Sequence, residues 1–470
     1  MKLIIEARLV GDGDESTNMP ISLAVIQRHD DDLEQLGLSL AEGRELLAAT
    51  QSALVSSQAS VWVSTQDYCH ECYTPLRRKD SRSIAMRTVF GKVTMSSPRF
   101  WCCDGEPRQW QERTISPLAQ PLPKRVTPEL EYLQTKWAAH LPYAAATAML
   151  KEVLPLQNSI SASGTRYRIR TVSNEIEIRV EEQIARLPLL GDTENPKECA
   201  QVTAVSVDSA WLKHCGPSAR GQHVNIAAGR AVLADGKTRV YAYVGKQVRS
   251  GAARLDHFLG QCGVMWDERV TVISDGAGEF TAAVEGSRFA RERILDWFHI
   301  AMKFRAAEQS VFGCRQQRGP HWNWVEREIR GAKWLVWHGK GRQAVSRLRG
   351  LSVELEKWPG LEHSTLWWNI RKACGYVEGH TQYLVNYAAR YRKGLPISSG
   401  IAESAVNQVV SMRMAKKRQM RWSDAGAHAL AQVRVAELNG ELSPRSFGYP
   451  TQVRRATALR NWYGELAMAA

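Results

Sequence analysis

The feature that most constrains the fold is the alternation of short β-branched runs with helical ones between residues 201 and 298. The pattern predicts three strands, a helix, a strand, a second helix and a final strand. An Asp-Gly step at 235–236 favours a tight hairpin between the second and third strands. The strands are predicted at 202–207, 224–232, 238–244, 270–273 and 293–298, and the first helix at 252–262. This order predicts an α/β core around one sheet.

Three acidic residues stand where such a core would carry chemistry. Asp208 and Asp275 end the first and fourth predicted strands, and Glu403 lies one turn into a helix introduced by Ser398-Ser399-Gly400. Each has an ordinary explanation alone: a turn after a strand, or an acid that favours a helix N-terminus. A ribonuclease-H-like sheet has this strand order, as other α/β chains do, and it would bring the three carboxylates together. Such a group of oxygens suits Mg²⁺ or Mn²⁺.

The charge of the chain is uneven. The formal net charge is +14, and residues 1–60 carry 4 basic and 10 acidic side chains, whereas residues 301–350 carry 11 basic and 3 acidic. Excess positive charge outside the N-terminal segment suits a polyanionic partner such as nucleic acid. A soluble enzyme with a basic surface would explain the same charge. No apolar run approaches the roughly 18–20 residues of a membrane span. The nine cysteines do not have the pattern of a secreted disulfide framework, so we expect a cytoplasmic protein with no membrane partner.

The N-terminal third divides into two predicted segments. Residues 1–66 predict a small α/β module whose helix begins at Ser39, with Glu42 at capping-box spacing. Residues 67–112 carry one Cys-x-x-Cys knuckle, a spacing that lets two thiolates face one Zn²⁺ ion, and then two adjacent cysteines. This predicts a zinc-ribbon-like segment, with a metal-free β-rich module as the alternative. The candidate zinc ligands are Cys69, Cys72, Cys102 and Cys103.

Residues 125–190 return to helical periodicity. One helix is expected to end at Pro155, and the next opens at Ser161. The second helix carries three candidate DNA-binding cations, Arg166, Arg168 and Arg170. Two helices with a short turn and a basic second helix are compatible with helix-turn-helix recognition of DNA. A plain helical hairpin between two domains is the commoner explanation of such a pattern.

Residues 305–395 predict an all-helical insertion that contains seven of the 16 tryptophans among many cations. Most of these tryptophans are expected in the insertion's core, with one or two contacting DNA. Residues 396–440 then complete the catalytic core, and 441–470 form a tail without a motif. A second group of candidate DNA-binding cations follows Glu403: Arg413, Lys416, Lys417, Arg418 and Arg421.

Several motifs together resemble one family. VSVDSAW, VISDGAGEF, ILDWFHIAMK, GIAESAVNQVV and MAKKRQMRWSDAGAHALAQVR are similar to the ISKra-type family of bacterial insertion-sequence transposases, which have an Asp-Asp-Glu active site. The resemblance covers most of the chain, to about residue 440. It implies a ribonuclease-H-like catalytic domain, with residues 200–304 as its first part, interrupted by the helical insertion. The triad carries over as Asp208, Asp275 and Glu403.

The resemblance also implies the chemistry and the partners. Two Mg²⁺ (or Mn²⁺) ions would serve cleavage at the ends of a mobile element and strand transfer into target DNA, both double-stranded. Because two ends are cut together, a homodimer or larger assembly is expected. The step Asp296-Trp297-Phe298-His299 is similar to an Asp/Cys-x-x-His motif of related enzymes. Asp296 and His299 are expected to support the site from behind the metal ligands, the alternative being an ordinary histidine at the insertion boundary.

Two other classes of protein fit parts of the pattern. One is a transposase-derived regulator that binds DNA without cutting it. The presence of all three acids argues against this class, because a protein that no longer cuts DNA is free to lose them. The other is a structure-specific nuclease of the same fold, such as a Holliday-junction resolvase. The long helical insertion and the basic run after Glu403 argue against the nuclease, since small resolving enzymes need neither.

Overall fold

A computed structural model describes residues 1–8, 19–28, 36–66, 68, 73, 75–101, 114–119, 121–187, 197–216, 221–265, 267–276, 278–316, 319–398, 405–414 and 420–448. The chain forms two compact units. The first comprises Met1–Ile169 with Glu441–Ala470, and the second comprises Arg170–Gly440. Each unit has its own buried apolar clusters.

The first unit begins with an antiparallel strand pair and a long helix. β1 (Lys2–Ala7) pairs with β2 (Ile21–Gln27), and α1 (Leu40–Ser64) follows. The Ser39 hydroxyl accepts a hydrogen bond from the Glu42 backbone N–H, and the Glu42 carboxylate accepts one from the backbone N–H of Ser39 at 2.9 Å. The predicted capping box is therefore confirmed, and it satisfies two backbone donors at the start of the helix.

A three-stranded antiparallel sheet comes next. It consists of β3 (Arg77–Thr88), β4 (Gly91–Trp101) and β5 (Thr114–Ile115). Its buried methionines, such as Met95, pack with Val55 of α1. The described part of this segment is thus β-rich. The four candidate zinc ligands, Cys69, Cys72, Cys102 and Cys103, lie outside the described residues, and the zinc site stays a prediction.

Three helices complete the first unit: α2 (Pro128–His140), α3 (Tyr143–Val153) and α4 (Ala162–Ala185), of which α4 continues into the second unit. The prediction of one continuous helix up to Pro155 is wrong. Pro142 separates α2 from α3, because proline has no N–H to donate to the preceding turn. One core joins α2 and α3 to the β3–β4 turn and to the residues that precede α4: Val89, Val126, Leu130, Leu150, Leu156 and Ile160.

The second unit is built on a mixed sheet. Its strands are β6 (Lys197–Glu198), β7 (Val202–His214), β8 (His223–Leu233), β9 (Thr238–Val244), β10 (Glu268–Ser274), β11 (Ala290–Leu295) and β12 (Arg421–Trp422). The main order is β11-β10-β7-β8-β9, in which β7, β8 and β9 are antiparallel while β10 is parallel to both β7 and β11. The predicted α/β class is confirmed. One boundary is corrected, since β11 ends at Leu295 and the next helix begins at Trp297.

The helices of this unit are α5 (Gly251–Gln261), α6 (Gly278–Glu285), α7 (Trp297–Cys314), α8 (Trp322–Trp337), α9 (Gly341–Glu356), α10 (Thr365–Gly379), α11 (Tyr387–Arg392) and α12 (Asp424–Leu438). α5 and α6 cover one face of the sheet, where Phe258 and Phe280 pack with Tyr241. α12 lies against β8 and β9, and the Gln432 amide donates to the Ala242 carbonyl at 2.7 Å. Side chains alternate along a strand, so Tyr241 and Ala242 face opposite helices.

The helices α7 to α11 form the segment predicted as a helical insertion, with a core of their own. Most tryptophans of this segment belong to that core, as predicted: Trp367 is buried, and Trp322, Trp324, Trp337 and Trp358 pack against it. Trp334 and Trp368 are exposed. The two ends of the segment adjoin, because the Trp297 backbone N–H donates to the Ile397 carbonyl at 3.1 Å.

The last part of the second unit is helical before β12 and α12. Residues 405–414 include a π-helical turn, Asn407–Ser411, and a short α-helical stretch, Met412–Met414. Glu403 lies outside the described residues. In the described part of the chain, none of the helices has both the length and the apolar character needed to cross a membrane.

We predict that Gly229→Ala destabilises the second unit. A Cβ at this position of β8 would lie 2.2 Å from Tyr241 Cε1 and 3.0 Å from the Ser206 carbonyl oxygen. Tyr241 has little room to yield, since its ring stacks on Phe258 at 4.4 Å. The expected loss is about 1–3 kcal/mol in the free energy of unfolding, measured by urea denaturation. Gly245→Ala is the control, because its Cβ would meet no atom within 4 Å, and equal stability of the two variants would contradict this packing.

Candidate metal centre

The parallel register of β7 and β10 places two of the predicted acids side by side. Val207 pairs with Ser274, so the next residues of the two strands, Asp208 and Asp275, are neighbours. Asp275 directly follows the end of β10. Asp208 does not end its strand as predicted, because β7 continues to His214 in antiparallel pairing with β8.

A histidine from α7 joins these two aspartates. Asp296 is the N-cap of α7, and its Oδ1 accepts a hydrogen bond from the Phe298 backbone N–H at 2.8 Å. Its other oxygen, Oδ2, lies 2.7 Å from Nδ1 of His299, one turn into the helix. Because Nδ1 is held by a carboxylate that is fully buried, Nε2 is the ring nitrogen left for a ligand.

Asp208, Asp275 and His299 form a half-buried cluster suited to a cation. One potential ligand atom from each residue lies within 4.8 Å of the others. Two carboxylates and a neutral imidazole fit Mg²⁺ or Mn²⁺, with the imidazole favouring Mn²⁺ of the two. The structure thus brings together two members of the predicted triad and adds His299, which the sequence placed behind the ligands. Asp296 is the hydrogen-bond partner of that histidine.

The electrostatics of the cluster favour positive charge beside the carboxylates. Burial raises the pKa of Asp208, and the nearby carboxylates of Asp275 and Asp296 add to this, against the Ser209 backbone N–H and His299. The hydrogen bond with Asp296 raises the pKa of His299 above 6.5, and the charges of Asp208 and Asp275 act in the same direction, against burial. In the absence of a cation, the proton on His299 therefore balances the surrounding carboxylates.

A buried arginine supports the Asp275 turn from the sheet side. Arg293 of β11 donates from Nε to the Ser274 hydroxyl at 2.7 Å and from Nη2 to the Asp275 carbonyl at 2.5 Å. The Tyr383 ring covers its guanidinium at 4.6 Å. Sequence reasoning missed this residue. The available signal was a charged residue next to the apolar pair Ile294-Leu295 in a short strand, where burial demands a partner.

The same turn is also held by a histidine of the helical segment. His380 has Nε2 2.9 Å from the Gly276 carbonyl oxygen and Nδ1 2.8 Å from the Tyr376 carbonyl oxygen. Gly276 must lack a side chain here, because a Cβ would lie 2.5 Å from His380 Nε2. The Asp275 turn is therefore fixed on one side by a residue 104 positions away in the chain, which sequence pattern alone could not reveal.

The candidate DNA-binding cations differ in their surroundings. Arg166, Arg170 and Arg421 are exposed, as a DNA contact requires. Two others correct the prediction. Arg168 donates to the buried Glu131 carboxylate at 2.9 Å, and Arg413 is only 2% exposed and lies by the Trp422 ring. Both positions fall on the inner faces of their helices, which basic character alone did not indicate. Lys416, Lys417 and Arg418 lie outside the described residues.

Comparisons with known proteins add no assignment to this geometry. No model of a known protein family matches the sequence, and no curated protein matches it. The function is therefore inferred from the chemistry of the cluster and from the motifs that surround it.

We predict that Mn²⁺ affinity rises with pH because the ion must displace the proton on His299. Below pH 6.5 this imidazole is protonated in both folded and unfolded chains, and its raised pKa extends the protonated state of the fold above that value. Because binding displaces one proton, the Mn²⁺ affinity should increase about tenfold for each pH unit, up to the raised pKa of His299. Titrations of Mn²⁺ followed by electron paramagnetic resonance would measure it. His299→Gln should flatten the slope, whereas the exposed control His363→Gln should not; an unchanged slope in His299→Gln would contradict the ligand role.

A second prediction concerns His380 as a positioning residue for Asp275. His380→Asn shortens the side chain and loses the donor to the Gly276 carbonyl, whereas His380→Gln keeps a donor near the position of Nε2. Loss of such a support typically weakens metal affinity about 10–100-fold. We expect this loss in the Asn variant and substantial recovery in the Gln variant, measured by Mn²⁺ titration. Equal Mn²⁺ affinities in wild type and the Asn variant would show that the contact does not position Asp275.

Proposed function

We propose that this chain is a DNA transposase with a ribonuclease-H-like catalytic domain that cleaves element ends and joins them to target DNA. The observation that carries the proposal is the cluster of Asp208, Asp275 and His299 on adjacent parallel strands and the following helix. The resemblance of the surrounding motifs to ISKra-type transposases gives the reaction. Glu403, expected as the third acid, belongs to the same proposal.

The topology of the second unit supports a ribonuclease-H-like domain. Three antiparallel strands, β7, β8 and β9, precede two parallel strands, β10 and β11, with α5 and α6 in the connections. The helical segment α7 to α11 follows β11 directly, where such an insertion would leave the core. α12 then packs against β8 and β9, as expected of a helix that closes the domain.

The chemistry follows from the charges that the cluster gathers. A divalent ion held by Asp208 and Asp275 would lower the pKa of a bound water or 3′-hydroxyl and neutralise charge on the phosphate. His299 contributes a neutral nitrogen to such a site only after it loses its proton, and Asp296 orients that nitrogen through Nδ1. Arg293 and His380 fix the Asp275 turn, so that the carboxylates keep their spacing during the reaction.

The charge of the protein supports DNA as the substrate. A net charge of +14 attracts a polyanion, and exposed Arg166, Arg170 and Arg421 are available to contact phosphates. Binding should therefore weaken as salt concentration rises. Cutting two ends together requires at least two copies of the chain, which supports the expectation of a homodimer or larger assembly.

We predict that Asp208→Asn reduces DNA cleavage and joining at least about a hundredfold while DNA binding is retained. The substitution removes one negative charge from the cluster without changing the size of the side chain. Activity is measured with Mg²⁺ or Mn²⁺ on DNA carrying the element's ends, and binding by fluorescence anisotropy on the same DNA. Asp235→Asn is the matched control, since this exposed aspartate lies in the β8–β9 hairpin and Asn-Gly also favours that turn.

The outcomes separate the competing functions. Wild-type activity in Asp208→Asn would reject the metal centre. Tight binding by wild type with no cleavage would favour a DNA-binding regulator. Cleavage of branched DNA without joining of element ends would favour a structure-specific nuclease.

A further inference from the structure

We propose that an exposed aromatic surface on the helical segment binds unpaired nucleotides at the end of a DNA strand. This surface, the aromatic platform, consists of Trp334, Trp337 and His338 of α8 with Tyr391 of α11. The inference rests on the proposed function for the presence of DNA. It adds a distinct site, since it assigns single-stranded DNA to a surface apart from the metal ligands.

The platform is continuous and open to solvent. Trp334 is 54% exposed and Tyr391 is 68% exposed. Trp337 lies between them, with its ring 6.2 Å from that of Trp334 and 6.0 Å from that of Tyr391. The His338 ring lies 6.3 Å from Trp334 at a tilt of 31°. The platform therefore offers several neighbouring ring surfaces to a ligand.

Folding of the helical segment does not explain why these rings are exposed. The apolar face of α8 is already buried through Val325, Ile329, Ala332 and Val336. Trp334 projects from the opposite face of α8 and lies outside the core of the segment. Tyr391 of α11 also lies outside that core. A large apolar group in water is informative where several of them adjoin, because such a patch usually marks a binding surface.

The charges around the platform select a nucleic acid as its occupant. Arg327 and Arg330 precede Trp334 on the exposed face of α8, since spacings of three and four residues place side chains on one side of a helix. Lys340 follows α8, and Arg392 and Lys393 adjoin Tyr391. All five are exposed, and none forms an ion pair with another described residue. Aromatic rings bordered by exposed cations suit a nucleic-acid strand. Its bases can stack on the rings while its phosphates contact the cations.

Unpaired bases fit the platform better than a duplex does. In a duplex the base faces are covered by their neighbours, so only frayed, flipped or single-stranded bases can stack on a side chain. Trp297 connects the platform to the candidate metal centre. Trp297 packs against Trp337 with ring centres 4.7 Å apart, and Trp297 directly follows Asp296, the partner of His299. A strand end released or distorted at the metal centre would therefore reach the platform within a short length.

The test compares two DNA probes without divalent ions, so that no cleavage occurs. One probe is a blunt duplex, and the other is the same duplex with an unpaired tail of about six nucleotides. Affinities of the full chain are measured by fluorescence anisotropy of the labelled DNA. We expect wild type to bind the tailed probe more tightly. Trp334→Ala should weaken binding of the tailed probe about tenfold and leave binding of the blunt duplex nearly unchanged.

Three further variants make the result specific. Trp334→Phe retains a ring and should recover most of the preference for the tailed probe. Tyr391→Ala tests the same platform from α11, in case Trp334→Ala fails to fold. Trp368→Ala is the matched control, because this tryptophan is 49% exposed in the same segment but packs with His363 and Trp367 instead. It should keep the full preference.

The possible failures are distinguishable. If wild type binds both probes equally, the platform has no role in single-strand binding, and the proposed function is unaffected. If only Trp368→Ala loses the preference, the platform is placed wrongly. If wild type binds neither probe, both the inference and the proposed function fail. Self-association that depends on Trp334, with no effect on DNA, would assign the surface to a second copy of the chain and overturn the inference.

Discussion

The parallel pairing of β7 with β10 is the constraint on which the rest of the second unit depends. A one-residue slip of this register would move Asp208 to the opposite face of the sheet, because side chains alternate along a strand. The register is protected on both sides. β8 pairs with β7 along most of its length, and the Asp275 turn after β10 is held through its backbone carbonyls by Arg293 and His380. The carboxylates of Asp208 and Asp275 are thus placed by hydrogen bonds that fix the backbone on either side of them.

Burial of charge around this pairing is extensive, and two of the buried groups have several partners each. Asp296 combines two roles, since one oxygen caps α7 and the other holds His299. Arg293 is likewise buried, with its guanidinium distributed over a hydroxyl, a carbonyl and a tyrosine ring. Removing water from such groups costs free energy that only well-aimed hydrogen bonds offset. Their presence beside a half-buried acidic cluster is more easily explained by chemistry than by stability.

The sequence predicted those features that local pattern controls. Residue spacing or strand-end composition predicts three of these features. They are the capping box at Ser39, the order of strands along the chain from β7 to β11, and the position of Asp275. The prediction failed where a side chain's partner lies far along the chain. Arg168 was expected on DNA because basic residues recur on α4, yet its partner Glu131 comes from α2. His380 gave no local signal, since its role depends on a glycine carbonyl in a separate turn. Pro142 is different, because a proline inside a helical pattern is itself a local signal for a helix boundary.

The hydrogen bond between Trp297 and Ile397 has an evolutionary consequence. Because this hydrogen bond joins the two ends of the helical segment, the residues between them form an insertion with adjoining ends. An insertion with adjoining ends can lengthen, shorten or change its surface without moving the strands beneath it. The contacts of His380 with Gly276 and of Tyr383 with Arg293 restrict that freedom beside the acidic cluster. The outer helices can therefore change while the Asp208 and Asp275 carboxylates keep their places, provided that the end of α10 keeps its contact with the turn.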